Sequence, residues 1–274
     1  MNRCSRAQVL LGTLVTIDIA EPASRAMACQ AMDAAFAVIA HIGRVMSAHD
    51  PNSDLGRLSR AQPGTILRLD RHTITVLEAA LHWQRISGGA FHPVRAAKHL
   101  MRGHRRPGLH GAADAHLNLQ DLVFLSETEV RVPAPLAVDL GGIAKGYAVD
   151  QALLALRLHG IEQACVNAGG DVGMQGKRRV QMSVRHAQRE ARDRRLWRKG
   201  FTHGALATST AAAPFSEWVC TAGPAKPLWS SATVWAPECM VADALTKWAL
   251  QSSLLCPKLT AALRQLRARM WRSI

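Results

Sequence analysis

The stretch Val138-Asp139-Leu140-Gly141-Gly142-Ile143-Ala144-Lys145-Gly146-Tyr147-Ala148 is the most informative part of this chain. Its paired glycines carry no Cβ atom, so the backbone there can approach a ligand closely. The helix predicted after them offers unpaired amide groups and the positive end of its dipole to an anion. Asp139 and Lys145 add one charge of each sign, which suits a diphosphate with a bound cation. A tight strand-to-helix turn with two solvated charges fits the same residues, and the motif alone leaves both interpretations open.

The bulk composition is typical of a soluble globular protein. The 274 residues are 48% hydrophobic and 20% charged, enough for one large domain or two intimate subdomains. The six cysteines form no C-x-x-C pair, which disfavours a disulfide framework or a structural zinc site. An uninterrupted run of about eighteen apolar residues is missing, so we expect no membrane-spanning helix. The segment 10–17 is too short for a secretory signal, and we expect a cytoplasmic protein.

The net charge of +14 permits binding to nucleic acid, acidic proteins or anionic membranes. Much of the excess lies in three basic segments, 102–106, 177–199 and 264–272. Aromatic residues that stack on bases are sparse at 5% of the chain, with one tyrosine, five phenylalanines and seven tryptophans. Solvated basic loops are therefore favoured over a nucleic-acid site, and no nucleic-acid partner is expected.

The order of the predicted elements indicates an α+β protein. Periodicity and turn residues predict strands over 10–19, 165–167 and 180–184, a hairpin over 122–132 that feeds a short strand over 136–138, and helices over 26–46, 70–87, 144–159, 237–255 and about 257–272. Strands and helices alternate without a strict βαβ repeat. We therefore expect mixed sheets flanked by helices, in a single domain over 1–274 or in two subdomains.

With these elements placed, the motifs resemble, in order, those of the ApbE family, the FAD:protein FMN transferases. The resemblance runs from Leu11-Gly12-Thr13 to the helix of Asp243 and covers most of the chain. Its most specific part is 138–150 followed by 166–171, which is similar to the family's DLGGIAKGYAVD and NAGGD segments. Supporting segments are 46–49, 88–93, 207–209 and 234–245.

The resemblance implies an enzyme that takes FAD as substrate and attaches its FMN phosphate to a threonine or serine hydroxyl of an acceptor flavoprotein, releasing AMP. Attack at phosphorus needs a cation on the diphosphate, donors for the transferred phosphoryl group, and an acceptor for the hydroxyl proton. The implied cation is Mg²⁺. Two alternatives stay open: a flavin-binding paralogue with impaired or lost transfer, and a basic binder of nucleic acid or of an anionic surface.

The resemblance also implies which residues bind FAD. The matched positions are Leu11, His49, Ala90, Phe91, His92, Asp139 and Lys145. Phe91 offers a stacking face, and Lys145 acts as a point charge near the phosphates. His92 stands where the family usually has an aspartate. A plain core leucine and a loop histidine are the alternatives for Leu11 and His49, and Asp171 is interpreted as a turn-former.

Two departures from the family pattern put the transfer reaction in doubt. The implied metal set is Asp243, a threonine four residues later, and carbonyls of the glycine turn that includes Gly142. Here Thr246 stands at three residues and Lys247 at four, both on the helix face of Asp243. Thr246 could still reach the site, or Lys247 could put its ammonium where the cation belongs. Cys220 replaces the implied catalytic histidine, and a thiol accepts a proton only if cationic neighbours lower its pKa.

Overall fold

The computed structural model describes residues 3–94, 119–133, 136–185, 195–211 and 228–273. The chain divides into two compact units. Unit 1 comprises Met1–His41, Lys145–Ala212 and Pro227–Ile274, and unit 2 comprises Ile42–Ala144 and Ala213–Lys226.

Strands and helices are mixed along the chain, as an α+β fold requires. The strands are β1 (Arg3–Leu10), β2 (Thr13–Ala20), β3 (Ile66–Arg68), β4 (Val123–Phe124), β5 (Glu129–Arg131), β6 (Ala164–Ala168), β7 (Asp171–Gln175), β8 (Val180–Arg185), β9 (Arg195–Phe201), β10 (Gly204–Thr210), β11 (Ser231–Ala236) and β12 (Arg269–Ser273). The α-helices are α1 (Arg25–Val45), α2 (Asp54–Leu58), α3 (Arg71–Ile86), α4 (Ala144–Leu158), α5 (Cys239–Gln251) and α6 (Pro257–Gln265). The predicted fold class is confirmed.

Unit 1 is built on a seven-stranded sheet in the order β1-β2-β6-β7-β10-β11-β12. Every neighbouring pair in it is antiparallel. Along β2, the side chains of Val15, Ile17 and Ile19 are fully buried, while the residues between them are partly exposed. This period-two alternation puts one face of the strand in the core.

Two helices of unit 1 pack on this sheet and carry the candidate site. α5 lies against β10 and β11. α4 lies so close to β7 that a Cβ atom on Gly173 would stand 2.6 Å from the side chain of Val149 and 2.7 Å from that of Leu153. The absence of a side chain at position 173 therefore allows α4 to pack closely against the sheet.

Unit 2 contains α2, α3 and a three-stranded antiparallel sheet in the order β3-β5-β4. Asp70 caps α3 as predicted, because its Oδ1 accepts a hydrogen bond from the amide of His72 at 2.8 Å. The buried Asp54 accepts from the amide of Asp70 at 2.7 Å and so fixes the start of α3.

Several predicted boundaries were wrong. The strand expected over 10–19 forms as β2 but begins at Thr13, because Leu11 and Gly12 turn the chain with φ of 55° and 70°; the strand before this turn, β1, was not predicted. The short strand expected over 136–138 does not form. α5 begins at Cys239 and ends at Gln251, inside the predicted 237–255. The C-terminal helix expected over about 257–272 ends at Gln265, because β12 follows it and pairs with β11.

Helix α1 is a candidate for a membrane-spanning helix, although the sequence predicts none. In the described part of the chain it is long and apolar enough to cross one, by length and composition alone. A core helix of a soluble protein and a signal sequence near the N-terminus meet the same criterion. Ala28, Met32 and Ile39 at helical spacing are fully buried, as the core face of such a helix would be.

Candidate active site

Four ionisable side chains of opposite sign meet in unit 1, and we call them the charged cluster: Lys145, Asp171, Asp243 and Lys247. The ammonium nitrogen of Lys145 lies 2.7 Å from Oδ2 of Asp171 and 3.9 Å from Oδ2 of Asp243. The ammonium of Lys247 donates to Oδ1 of Asp243, one helical turn away on α5. Two lysines and two aspartates thus form one connected network.

Burial makes this pairing obligatory. The side chain of Asp243 is fully buried, and those of Asp171 and Lys247 are 4% and 9% exposed. Lys145 is the member of the cluster that reaches solvent, with 30% of its side chain exposed. A charge removed from water is tolerated only where partners compensate it. Two positive and two negative groups leave the cluster with no net charge.

The network shifts the pKa values of its members in different directions. Burial lowers the pKa of Lys145, but the charges of Asp243 and Asp171 outweigh it and raise that pKa above its ordinary value. Burial raises the pKa of Asp243, but Lys145 and Lys247 outweigh it and lower that pKa. Burial and the charge of Asp243 raise the pKa of Asp171. A proton that enters the cluster therefore goes first to Asp171.

A hydroxyl network closes the cluster on the side of β10. Thr246 donates to the main-chain oxygen of Asp243 at 2.6 Å, and its oxygen lies 2.7 Å from that of Ser209. The ammonium of Lys247 donates to the same Thr246 oxygen at 3.3 Å. One donor and two acceptor positions are all that a hydroxyl has. The hydrogen-bonding capacity of Thr246 is therefore used in full.

Helix α4 fixes the position of α5 and hence of Asp243. The amide of Gly146 donates to Oδ2 of Asp243 at 3.3 Å, and a Cβ atom on Gly146 would lie 2.4 Å from the main-chain oxygen of Cys239. Asp150 accepts from the amides of Cys239 and Met240 at 2.8 Å each, so its carboxylate caps the N-terminus of α5. Burial raises the pKa of Asp150 to about 7, against the effect of these bonds.

The turn between β6 and β7 positions Asp171. The side chain of Asn167 accepts from the amide of Gly170 at 2.9 Å and closes the turn. Gly169 has φ of 65°, and a Cβ atom there would lie 2.5 Å from the hydroxyl of Thr13. Asp171 itself begins β7, with its carboxylate buried against Lys145.

The glycine turn that precedes α4 belongs to unit 2. Asp139 accepts from the amide of Gly141 at 2.8 Å, and its own amide donates to the main-chain oxygen of Pro93 at 3.1 Å. Asp139 and Gly142 are both buried. This turn therefore has a fixed geometry set by local hydrogen bonds.

A model of the ApbE family matches residues 11–255. The chain belongs to the ApbE family. The match contains α4, α5 and all four members of the charged cluster. The predicted resemblance is thereby confirmed.

Known proteins similar to this ApbE family member agree with that conclusion. An FAD:protein FMN transferase of Treponema pallidum (strain Nichols) is 29% identical in an alignment of 182 residues that covers 61% of this chain. The chain spans 50% of the length of that curated relative. Solved structures of an ApbE protein from Thermotoga maritima and of the flavin transferase ApbE from Vibrio cholerae share the fold, with TM-scores of 0.80 and 0.78 at 22% and 19% identity. Each covers 99% of this chain, which in turn covers 94% and 93% of theirs.

The structure brings together four of the predicted site residues, Lys145, Asp243, Thr246 and Lys247. Leu11 belongs to unit 1 but sits half-exposed in the β1–β2 turn, so the alternative of a plain core leucine was wrong. The other predicted contacts with FAD, and Gly142 of the metal set, belong to unit 2: His49, Ala90, Phe91, His92 and Asp139.

Individual residues of unit 2 differ in how open they are. His49 is exposed, while the side chains of Phe91 and His92 are buried, Phe91 to 1% exposure. Their roles in FAD binding stay predictions. Cys220 and the basic segment 102–106 lie outside the described residues.

Sequence reasoning missed three residues of the site. Asp171 was interpreted as a turn-former, but Asn167 closes that turn and Asp171 pairs with Lys145. Ser209 and Asp150 lie within the motifs 207–209 and 138–150, but the sequence pattern gives neither of them a specific role. A carboxylate at the start of an otherwise apolar strand, opposite a lysine in the preceding motif, is the signal that would have identified Asp171.

Proposed function

We propose that this ApbE protein transfers FMN from FAD to a threonine or serine hydroxyl of an acceptor flavoprotein and releases AMP. The observation that carries the proposal is the family match over 11–255, which contains the whole charged cluster. The name of the Treponema pallidum relative supports the same activity. Family membership does not favour the two alternatives, which are a flavin-binding paralogue with impaired or lost transfer and a basic binder of nucleic acid or of an anionic surface.

The transfer step is a displacement at phosphorus. The acceptor hydroxyl oxygen forms a new bond to the phosphorus of the FMN half, while the bond from that phosphorus to the bridging oxygen breaks. AMP leaves with the bridging oxygen and the bonding electrons, and the hydroxyl loses its proton to a base. The displacement spreads negative charge over the phosphoryl oxygens, which a positioned cation stabilises.

Lys145 is the residue of the cluster suited to meet that charge. Its ammonium stays protonated, because Asp243 and Asp171 raise its pKa. Its side chain is the most exposed of the four, so Lys145 is the member of the cluster most accessible to a ligand. A lysine ammonium acts there as a point charge with three donors. The family resemblance puts Cys220 at the position of the base that would take the hydroxyl proton.

Mg²⁺, which the family resemblance implies, does not fit the residues present. The cluster is already neutral, Oδ1 of Asp243 holds the ammonium of Lys247, and Thr246 has no remaining lone pair. A hard cation needs several oxygen ligands free to face it. We therefore assign no step to a metal ion.

The test uses the full chain with FAD and a threonine-bearing flavoprotein domain as acceptor, with excess Mg²⁺ and separately with EDTA. We expect the acceptor to become fluorescent under denaturing conditions, to gain the mass of the FMN moiety, and to yield AMP in equal amount. The variant Lys145→Met should lose most of this activity. Lys258→Met, which removes an exposed lysine on α6, serves as the matched control. Bound FAD without modified acceptor or AMP in either condition would contradict the proposal.

The nature of the acceptor and the cytoplasmic location are further parts of the proposal. A threonine or serine in the acceptor supplies the nucleophile. Retention of the protein in the soluble cytoplasmic fraction of expressing cells tests the location.

A further inference from the structure

We infer that Lys247 takes the place of a divalent cation, so that this ApbE protein binds FAD without a metal ion. The identity of the nucleotide rests on the proposed function. The replacement of the metal ion by Lys247 is inferred from the charged cluster alone.

The charges of the cluster balance only when Lys247 is included. Without Lys247, Asp171 and Asp243 would carry two negative charges against the single positive charge of Lys145, in a site where both carboxylates are almost fully buried. Lys247 supplies the missing positive charge. A divalent cation added to the complete cluster would leave two positive charges uncompensated in the interior, which is strongly unfavourable.

The oxygen atoms that would have to bind a metal ion already accept hydrogen bonds. Oδ1 of Asp243 accepts from Lys247, and Oδ2 faces the amide of Gly146 at 3.3 Å and the ammonium of Lys145 at 3.9 Å. Mg²⁺ demands near-octahedral oxygen ligands at about 2.0–2.1 Å, and the ammonium of Lys247 already fills that position on Oδ1 of Asp243 and on the oxygen of Thr246. An ammonium needs only acceptors, which Asp243 and Thr246 provide.

The helix holds Lys247 in this place. Residues 243 and 247 are one turn apart on α5, so their side chains lie on the same face. The side chain of Lys247 is 9% exposed, and it cannot swing out without leaving the buried Asp243 short of a partner. Lys247 is therefore a fixed part of the site, in contrast to a lysine on a solvated surface.

The test measures binding of Mn²⁺, a probe for the Mg²⁺ site, to the full chain by electron paramagnetic resonance without FAD. We expect no stoichiometric binding by the unaltered protein. In Lys247→Thr, which restores the family residue and removes the charge, we expect one Mn²⁺ per chain. Lys258→Thr on the surface of α6 is the control and should behave like the unaltered protein.

A second measurement follows FAD affinity in EDTA and in excess Mg²⁺. The dissociation constant of the unaltered protein should change by less than about twofold, because an ion without a site is not coupled to FAD. In Lys247→Thr it should fall on the order of tenfold when Mg²⁺ is added, within the usual range of coupling between two ligands. Lys247→Met keeps the length of the side chain without its charge, and it replaces the threonine variant if that variant does not fold.

The outcomes separate the inference from the proposed function. Stoichiometric Mn²⁺ binding by the unaltered protein overturns the inference, whether or not FAD binds. Absence of a gain in Mn²⁺ affinity in both Lys247 variants also overturns it. If FAD does not bind under any condition, the proposed function fails, while the Mn²⁺ measurements still decide the role of Lys247.

Discussion

The amide N–H of Gly146, in the first turn of α4, donates to the carboxylate of Asp243 on α5 over 3.3 Å. The two residues are 97 positions apart in sequence. The bond requires the helices to touch, which a side chain at position 146 would prevent. The position of the buried carboxylate therefore depends on a glycine in the motif 138–148.

Gly146→Ala should destabilise the protein by about 3 kcal/mol, the upper part of the range for forcing extra atoms into a packed site. Its Cβ atom would stand 2.4 Å from the main-chain oxygen of Cys239, so α4 and α5 must separate. Urea denaturation followed by circular dichroism measures the effect. Gly160→Ala is the comparison, because it has open space but φ of 75°, and it should cost only about 1 kcal/mol. Equal losses in the two variants would show that the contact is not tight.

Asp150→Asn should change how stability depends on pH. The pKa of Asp150 rises from 3.8 to about 7 on folding, so the folded state binds the proton more tightly. The contribution of this group to the free energy of unfolding is full below about pH 4 and is lost as the pH rises to about 7. Asparagine does not titrate, so the variant should gain on the unaltered protein over that range, on the order of 4 kcal/mol at about 1.4 kcal/mol per pKa unit. Denaturation curves at pH 4, 5.5 and 7.5 test this, and a constant difference would contradict it.

Lys145→Met should weaken FAD binding and lower stability at neutral pH. The change leaves Asp171 and Asp243 with Lys247 as the remaining ammonium of the cluster. Breaking a buried pair costs about 3–5 kcal/mol, and partial exposure of Lys145 reduces this to about 2 kcal/mol. Asp171, whose pKa is already raised, should take up a proton as the pH falls, so the variant should recover stability in acid. Thermal unfolding at pH 5 and pH 7.5 measures the recovery, and Lys258→Met should show no such dependence.

Thr246→Val and Ser209→Ala should have effects on stability that do not add. Their hydroxyl oxygens lie 2.7 Å apart, and Thr246 also donates to the main-chain oxygen of Asp243. Thr246→Val leaves buried polar partners unsatisfied and should cost about 1–3 kcal/mol. The double variant should be less destabilised than the sum by about 0.5–1 kcal/mol, because the shared bond is lost only once. A double-mutant cycle by chemical denaturation gives the coupling energy, and additive losses would mean that the two hydroxyls act independently.

Local rules predicted much of this site, and long-range contacts account for what they missed. The pairing of Asp243 with Lys247 follows from helical spacing, and the N-cap of Asp70 follows from its position before an apolar repeat. Asp171 meets Lys145 across 26 positions, and Asp150 meets Cys239 across 89. No periodicity encodes such contacts, and the tendency of aspartate to form turns pointed elsewhere for Asp171. β12 was missed for the same reason, since its pairing with β11 outweighs the helical pattern before it.

The cap that Asp150 provides for α5 also affects how the site forms during folding. The first turn of α5 has no capping hydrogen bond from its own N-cap residue, Glu238, and draws its acceptors from α4 instead. Neither helix can complete its end of the site alone, so the two dock as one cooperative unit. The exchange rates of the Cys239 and Met240 amides with solvent deuterium should therefore match each other and report the assembled fraction of the charged cluster.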